Sequence, residues 1–250
     1  MDDRIHEHAR VLCDWSARVE AGDDVVVTLD HAAHDLGVAV AEALGERGAN
    51  RLSVYRSDEL QRAYLRAHDG EFDTDPAYQR ALYEEADVVL SLGGGRNTSA
   101  TADVPGDRRQ AYARARQGVR EARYDTRWVS TLHPTRSLAQ QAGMAYEAYQ
   151  DFVYDAVLRD WESLADEMAQ LKDILDDGSE VRLVTADTDL TMSIEGRTAV
   201  NSCASVAYDS HNLPSGEVFT APDDTEGEVT FDVPMTFHGQ QVRDVHLTFE

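Results

Sequence analysis

Apolar residues recur at helical spacing over residues 2–20, where Ile5, His8/Ala9, Leu12, Trp15/Ser16 and Val19 share one side. Gly22 ends that pattern. Residues 24–29 are a β-branched run between turn residues, a buried strand by pattern. Helical spacing returns over residues 31–47, with Leu36, Val40, Ala43 and Leu44 on one face and Gly48 placed to terminate it. Residues 52–55 form a second strand. Strand, helix, strand over this length predicts a right-handed βαβ unit in a parallel sheet. The alternation continues with helices over 58–68 and 76–85 around an acidic turn, a strand over 87–92, and a basic-faced helix over 108–123. A strand over 128–132 follows, then helices over 135–142, 146–158 and 161–175. On the last of these Leu164, Met168, Leu171 and Leu175 fall along one side, which reads as core rather than a cofactor contact.

After Gly178 the texture changes. Short strands are expected over 181–185, 189–194, 218–220, 229–233 and 242–249, separated by Asp, Gly and Pro turns with no helix between them. In the last strand Val242, Asp244, His246 and Thr248 alternate with Val245, Leu247 and Phe249, which predicts one buried and one wet face. The expected class is therefore α/β: an N-terminal parallel-sheet domain over 1–177, then the start of a β-rich α+β domain over 178–250.

Charge adds what the pattern does not contain. The chain has 23 basic and 47 acidic residues and a net charge of −24. Acids at that density repel phosphate, so nucleic acid and anionic membrane surfaces are excluded as expected partners. Lys172 is the one lysine, and the acids are spread along the chain. Together these predict adaptation to molar salt, where the Debye length shrinks to a few Å. No apolar run approaches the roughly 18 residues of a membrane span, and no signal-peptide pattern is present, so a cytoplasmic location is expected. Cys13 and Cys203 are far apart, outside any Cys-x-x-Cys pair, and read as buried thiols in a reducing compartment.

Three stretches raise chemistry. His31 and His34, flanked by Asp30 and Asp35, share the start of a helix; capping of free N–H groups explains them more simply than a metal. Gly93, Gly94 and Gly95 follow a strand, but neither a Gly-Lys-Ser/Thr ending nor a Gly-x-Gly-x-x-Gly pattern is there, so a flexible connection is expected ahead of a nucleotide site. The basic helical face of 108–123 reads as intramolecular or subunit pairing. The third stretch is His211-Asn212-Leu213-Pro214-Ser215-Gly216-Glu217-Val218-Phe219-Thr220-Ala221-Pro222. It sets one carboxylate, Glu217, between a Pro/Gly turn and a short strand, a placement that suits either an ordinary solvated acid or a grip on a cation.

The run from Asn212 to Pro222 resembles the first metal-ligand motif of the thermophilic aminopeptidase family of metallopeptidases. Further stretches match that family in order: Arg127-Trp128-Val129 leading to His133-Pro134-Thr135, Thr188-Asp189-Leu190 with Glu195-Gly196-Arg197, and Glu226-Gly227 followed by Phe231-Asp232-Val233-Pro234. The resemblance implies an aminopeptidase acting on peptides. Its C-terminal domain would hold a pair of divalent cations (zinc, cobalt or manganese) that activate a water. It implies Glu217 as one metal ligand and a homodimer as the assembly. The family's further ligands and its catalytic tyrosine lie beyond the equivalent of Glu250, so no catalytic residue is expected within 1–250 and a fragment, inactive alone, is expected. His211, His238 and His246 receive no role from the resemblance. A non-catalytic module derived from the family is the alternative.

Overall fold

The structure is a computed structural model, and it describes residues 2–72, 76–233, 235–237 and 240–250. His238 and Pro234 lie outside the described residues.

The elements run in chain order. They begin with α1 (Asp3–Arg10), β1 (Asp24–Asp30), α2 (His34–Arg47), β2 (Asn50–Arg56), α3 (Asp58–Ala67), α4 (Ala77–Glu84) and β3 (Val88–Gly93). Next come α5 (Gly106–Ala115), α6 (Gln117–Tyr124), β4 (Arg127–Leu132), α7 (Arg136–Gln141), α8 (Tyr146–Val157) and α9 (Trp161–Asp177). The C-terminal part holds β5 (Glu180–Thr185), β6 (Thr188–Ser193), β7 (Val200–Ser202), β8 (Asn212–Leu213) and β9 (Glu217–Phe219). Last are β10 (Asp224–Phe231), β11 (Met235–Phe237), β12 (Gln240–Val242) and β13 (Val245–Phe249).

The chain divides into two compact units: residues 1–161 with 203–215, and residues 162–202 with 216–250. This division does not follow the change of texture near 177. Helix α9 groups with the second unit, and 203–215 returns to the first because β8 adds to its sheet.

The first unit is built on a parallel sheet of order β2-β1-β3-β4-β8. The β-branched runs explain its centre: Val25, Val26, Val27, Leu29, Val88, Val89, Leu90, Leu92 and Val129 are all buried. Leu36, Val40 and Leu44 of α2 are buried as well. Each such side chain contributes about 1.5–3 kcal/mol on leaving water. Gly48 ends α2 at φ 72°, the left-handed cap that the pattern predicts.

Two expected helices are broken. The first stops being α-helical at Arg10 and widens into a π-helical stretch over Val11–Ser16, where the Ala17 N–H donates to Leu12 O at 2.9 Å. The basic helix is two, α5 and α6, meeting at Arg116. Arg108 of α5 donates to Gly70 O at 2.9 Å and lies 4.4 Å over the Phe72 ring, and Arg123 of α6 lies over Trp128. That part of the basic face is spent within the chain.

The second unit carries an antiparallel sheet of order β13-β10-β6-β5 and two short pairs, β11-β12 and β7-β9. Gly227 in β10 has φ 110°, and a Cβ there would meet Asp189 O at 2.1 Å, so only glycine fits against β6. Two expectations fail here. On α9 Met168 and Ala165 are buried, but Leu171 is exposed. The expected single strand of 242–249 is interrupted at Asp244, which has φ 51°, and Leu247 and Phe249 of β13 are exposed. The reason is position: β13 is an edge strand whose neighbour is β10 alone among the described residues.

Candidate metal-ligand motif

His211, Asn212 and Leu213 are anchored in the first unit. The Ser130 N–H donates to His211 O at 2.8 Å, and β8 pairs with β4 at Ser130↔Asn212 and Thr131↔Leu213. Leu213 is buried. His211 stacks flat on Trp128, with ring centroids 4.4 Å apart, and its Nδ1 contacts Trp128 O at 2.9 Å. Its Nε2 lies 3.0 Å from Asp209 Oδ1.

Beneath β8 is a buried polar set that the sequence pattern hides. The Thr131 hydroxyl donates to Leu213 O at 2.7 Å, and His8 Nε2 lies 2.7 Å from the same hydroxyl oxygen. His133, just after β4, and Tyr154, on α8, are buried too. Burial pushes the His8 imidazole down to about 3, and His133 adds to that. Burial also lowers His133 itself, against a smaller opposing pull from Asp35, and holds the Tyr154 phenol up at about 12. His8 sits on the apolar stripe of the first helix, and that is the one signal by which it could have been found.

The motif then leaves β8. The Leu213–Pro214 peptide is cis. Gly216 has φ 114°, and its N–H donates to Ser202 O at 2.8 Å. In β9 Glu217 stands opposite Ser202 of β7, Val218 opposite Asn201 and Phe219 opposite Val200. The Asn201 side-chain amide is tied to Ala165 O at 2.9 Å, which fixes β7 to α9. Glu217 is exposed at the first position of its strand. Glu217 is thus exposed at the start of a strand that β7 holds within the second unit.

The described residues do not complete a divalent-cation site around it. Among them no group of three or more His, Cys, Asp or Glu is arranged to hold a metal ion, whereas zinc or cobalt ordinarily takes three or four protein ligands. His246 contacts Thr230 Oγ1 at 3.0 Å across the strands and lies 3.6 Å from Glu228. His31 and His34 go to separate partners: Arg96 donates to His31 Nδ1 at 2.6 Å, and His34 Nδ1 contacts the Tyr55 hydroxyl at 2.7 Å. Neither histidine caps its helix, so the capping reading fails too.

The glycine loop after β3 is tied down rather than loose. Gly94 N–H donates to Asp30 Oδ2 at 3.1 Å, and Gly95 O accepts from Thr135 Oγ1 at 3.2 Å and from Ser137. Asp30 also pairs with Arg56 at 3.4 Å, so this carboxylate beside the loop is engaged within the protein. Cys13 and Cys203 are both free and buried, and burial pushes the Cys13 thiol up to about 12.

Two other motif residues, Asp189 and Arg197, make exposed ion pairs within the second unit. Asp189 takes a two-pronged bond from Arg182 at 2.8 and 2.7 Å, and Arg197 pairs with Asp223.

The family described as thermophilic metalloprotease (M29) matches residues 1–250. The chain belongs to that family. Among solved structures, wild-type AmpT from Thermus thermophilus is similar at 23% identity and a TM-score of 0.81, over 99% of this chain and 69% of that one. At that identity the likeness shows a shared fold: the parallel sheet with its separate antiparallel sheet is the AmpT architecture. An apo cysteine desulfurase from Thermococcus onnurineus NA1 reaches a TM-score of 0.30 at 7% identity, over 80% of this chain and 68% of that one, and carries no weight. No curated protein matches. As a metalloprotease-family member the chain is tied to divalent-metal peptidase chemistry, and no described helix is long and apolar enough to cross a membrane.

Proposed function

We propose that this chain belongs to a metal-dependent aminopeptidase, with Glu217 as one carboxylate ligand of its divalent cations. The observation that supports this most is the match to the metalloprotease family over the whole of 1–250, which includes the Glu217 motif. The resemblance of that motif to the family's first metal-ligand segment gives Glu217 its role. A pair of zinc, cobalt or manganese ions would supply a water-derived nucleophile and polarise the carbonyl of the first peptide bond. The part of Glu217 is to bind. Its exposure and its fixed position at the start of β9 suit a ligand met by further donors outside the described set.

A second reading is a module that has kept the family's shape without its chemistry. The lack of a three-residue metal cluster among the described residues favours it. The two separate in an assay on aminoacyl chromogenic substrates in molar KCl, with zinc, cobalt or manganese added. The 250-residue chain is run beside a form extended through any coding sequence that follows. Metal-dependent release of N-terminal residues, abolished by chelator, supports the aminopeptidase. Two folded, inactive proteins support the module.

A further inference from the structure

We propose that the pocket at the carboxyl ends of β1, β2 and β3 binds the head group of a free amino acid, taking its carboxylate on Arg96 and its ammonium on Asp58.

The topology marks this place. β1 lies between β2 and β3, so the chain leaves β1 to one side through α2 and later crosses to its other side through α3 and α4. The connections part where that order reverses, and open α/β sheets bind ligands in the crevice so formed. Here the crevice is a pocket. The segment after β1 brings His31 to it, the segment after β2 brings Asp58 and Glu59, and the loop after β3 brings Gly94, Gly95 and Arg96.

The charges in its wall are left apart. Asp30 and Arg56 pair with each other. Arg96 donates to the His31 ring and pairs with no carboxylate among the described residues. Asp58 and Glu59 belong to the first turn of α3, where acids suit the helix dipole, yet neither meets a cation among the described residues. A Cβ at Gly95 would meet Asp58 Oδ2 at 3.8 Å, so this carboxylate stands against the glycine loop that carries Arg96. A guanidinium and a carboxylate thus line one pocket without pairing, and a zwitterion is their complement. A lone anion would face Asp58 and Glu59, and a lone cation would face Arg96. The interior, about 30 Å³, has room for roughly two or three water-sized groups. That is the scale of one ammonium and one carboxylate, and too small for a nucleotide. Asp30, Arg56, Ser57 and Asp58 also line the neighbouring groove of Tyr55, Leu60 and Tyr64, which suits an apolar side chain on the same ligand.

Binding here needs no peptidase activity, so it is measured on the whole chain directly. Isothermal titration calorimetry with L-leucine, in dilute buffer and in molar KCl, should give a Kd of about 1 mM or tighter. L-leucinamide lacks the carboxylate and N-acetyl-L-leucine lacks the ammonium, and each should bind about tenfold or more weakly. Glycine betaine keeps both charges without an N–H and should be weak too, which separates amino acids from zwitterionic osmolytes. Arg96→Gln and Asp58→Asn should each weaken L-leucine about tenfold or more at an unchanged melting temperature. Arg51→Gln, exposed on β2 outside this pocket, should not. No saturable binding of L-leucine below about 20 mM at either salt would overturn the proposal. So would a singly charged analogue or betaine that binds as tightly as L-leucine, or unchanged binding in Arg96→Gln or Asp58→Asn.

Discussion

Thr131 donates its single hydroxyl proton to Leu213 O at 2.7 Å, and this decides the tautomer of His8, whose Nε2 lies 2.7 Å from the same oxygen. With that proton spent, Nε2 must carry its own and donate it. His8 Nδ1 is then a bare acceptor, buried, with no hydrogen-bond partner among the described residues. The relay joins α1 to β4 and β4 to β8, the short strand that carries the chain towards Glu217.

Removing the middle of the relay strands its histidine end. Thr131→Val keeps the shape but leaves the His8 N–H without a partner, while Leu213 O keeps its ladder bond to β4. A loss of about 1–3 kcal/mol is expected, from one buried group. Urea unfolding in molar KCl measures it. A loss below about 0.5 kcal/mol would show that the relay does not hold β8.

The same histidine gives the fold a pH dependence. His8 is held down at about 3 in the folded chain, against an ordinary value of 6.5. Below 6.5 the unfolded chain takes up a proton that the folded chain refuses. The stability from this group is therefore whole above that value and falls as pH drops towards 3. The lowered His133 acts in the same direction. Between about pH 6.5 and 4.5 ordinary carboxylates stay ionised, so the slope there reports the histidines. His8→Gln should flatten it in a series of urea midpoints; an unchanged slope would place His8 in contact with water.

Gly227 probes the second unit by itself. Gly227→Ala would drive a Cβ to 2.1 Å from Asp189 O at a φ of 110°. About 3 kcal/mol or more of destabilisation is expected, because backbone on backbone cannot yield as a side chain can. Thermal unfolding should show it, while Gly45→Ala, where a Cβ meets nothing, serves as the neutral comparison.

Most of the first unit was legible because burial on both faces writes a parallel strand as a continuous β-branched run, as in Val25-Val26-Val27 and Val88-Val89-Leu90. Strands β7 and β8 were not, since three and two residues hold no period to detect. The exposed Leu247 and Phe249 misled because alternation marks a face that can be buried, and an edge strand without a cover leaves it wet. Glu217 stood out through its Pro and Gly neighbours, and the glycine among them has a local structural role. Gly216 turns the chain at φ 114° and its N–H bonds Ser202 O. The His8 relay was invisible because its members are far apart in sequence and each passes for an ordinary core or strand residue.

Charge makes a further expectation concrete. A net −24 opposes the compact state through self-repulsion, which molar salt screens. The melting temperature should rise steadily from dilute buffer to molar KCl. Equal stability in both would remove the reading of the acids as a salt adaptation.

The most direct measurement concerns Glu217. Metal-dependent peptidase activity is compared between the longest expressible form of the protein and its Glu217→Gln variant, which keeps shape and hydrogen bonding but loses the charge. A fall of at least about 100-fold is expected, with an unchanged melting temperature in chelator and weaker cobalt uptake. Full activity in Glu217→Gln would contradict the assignment of Glu217 as a metal ligand.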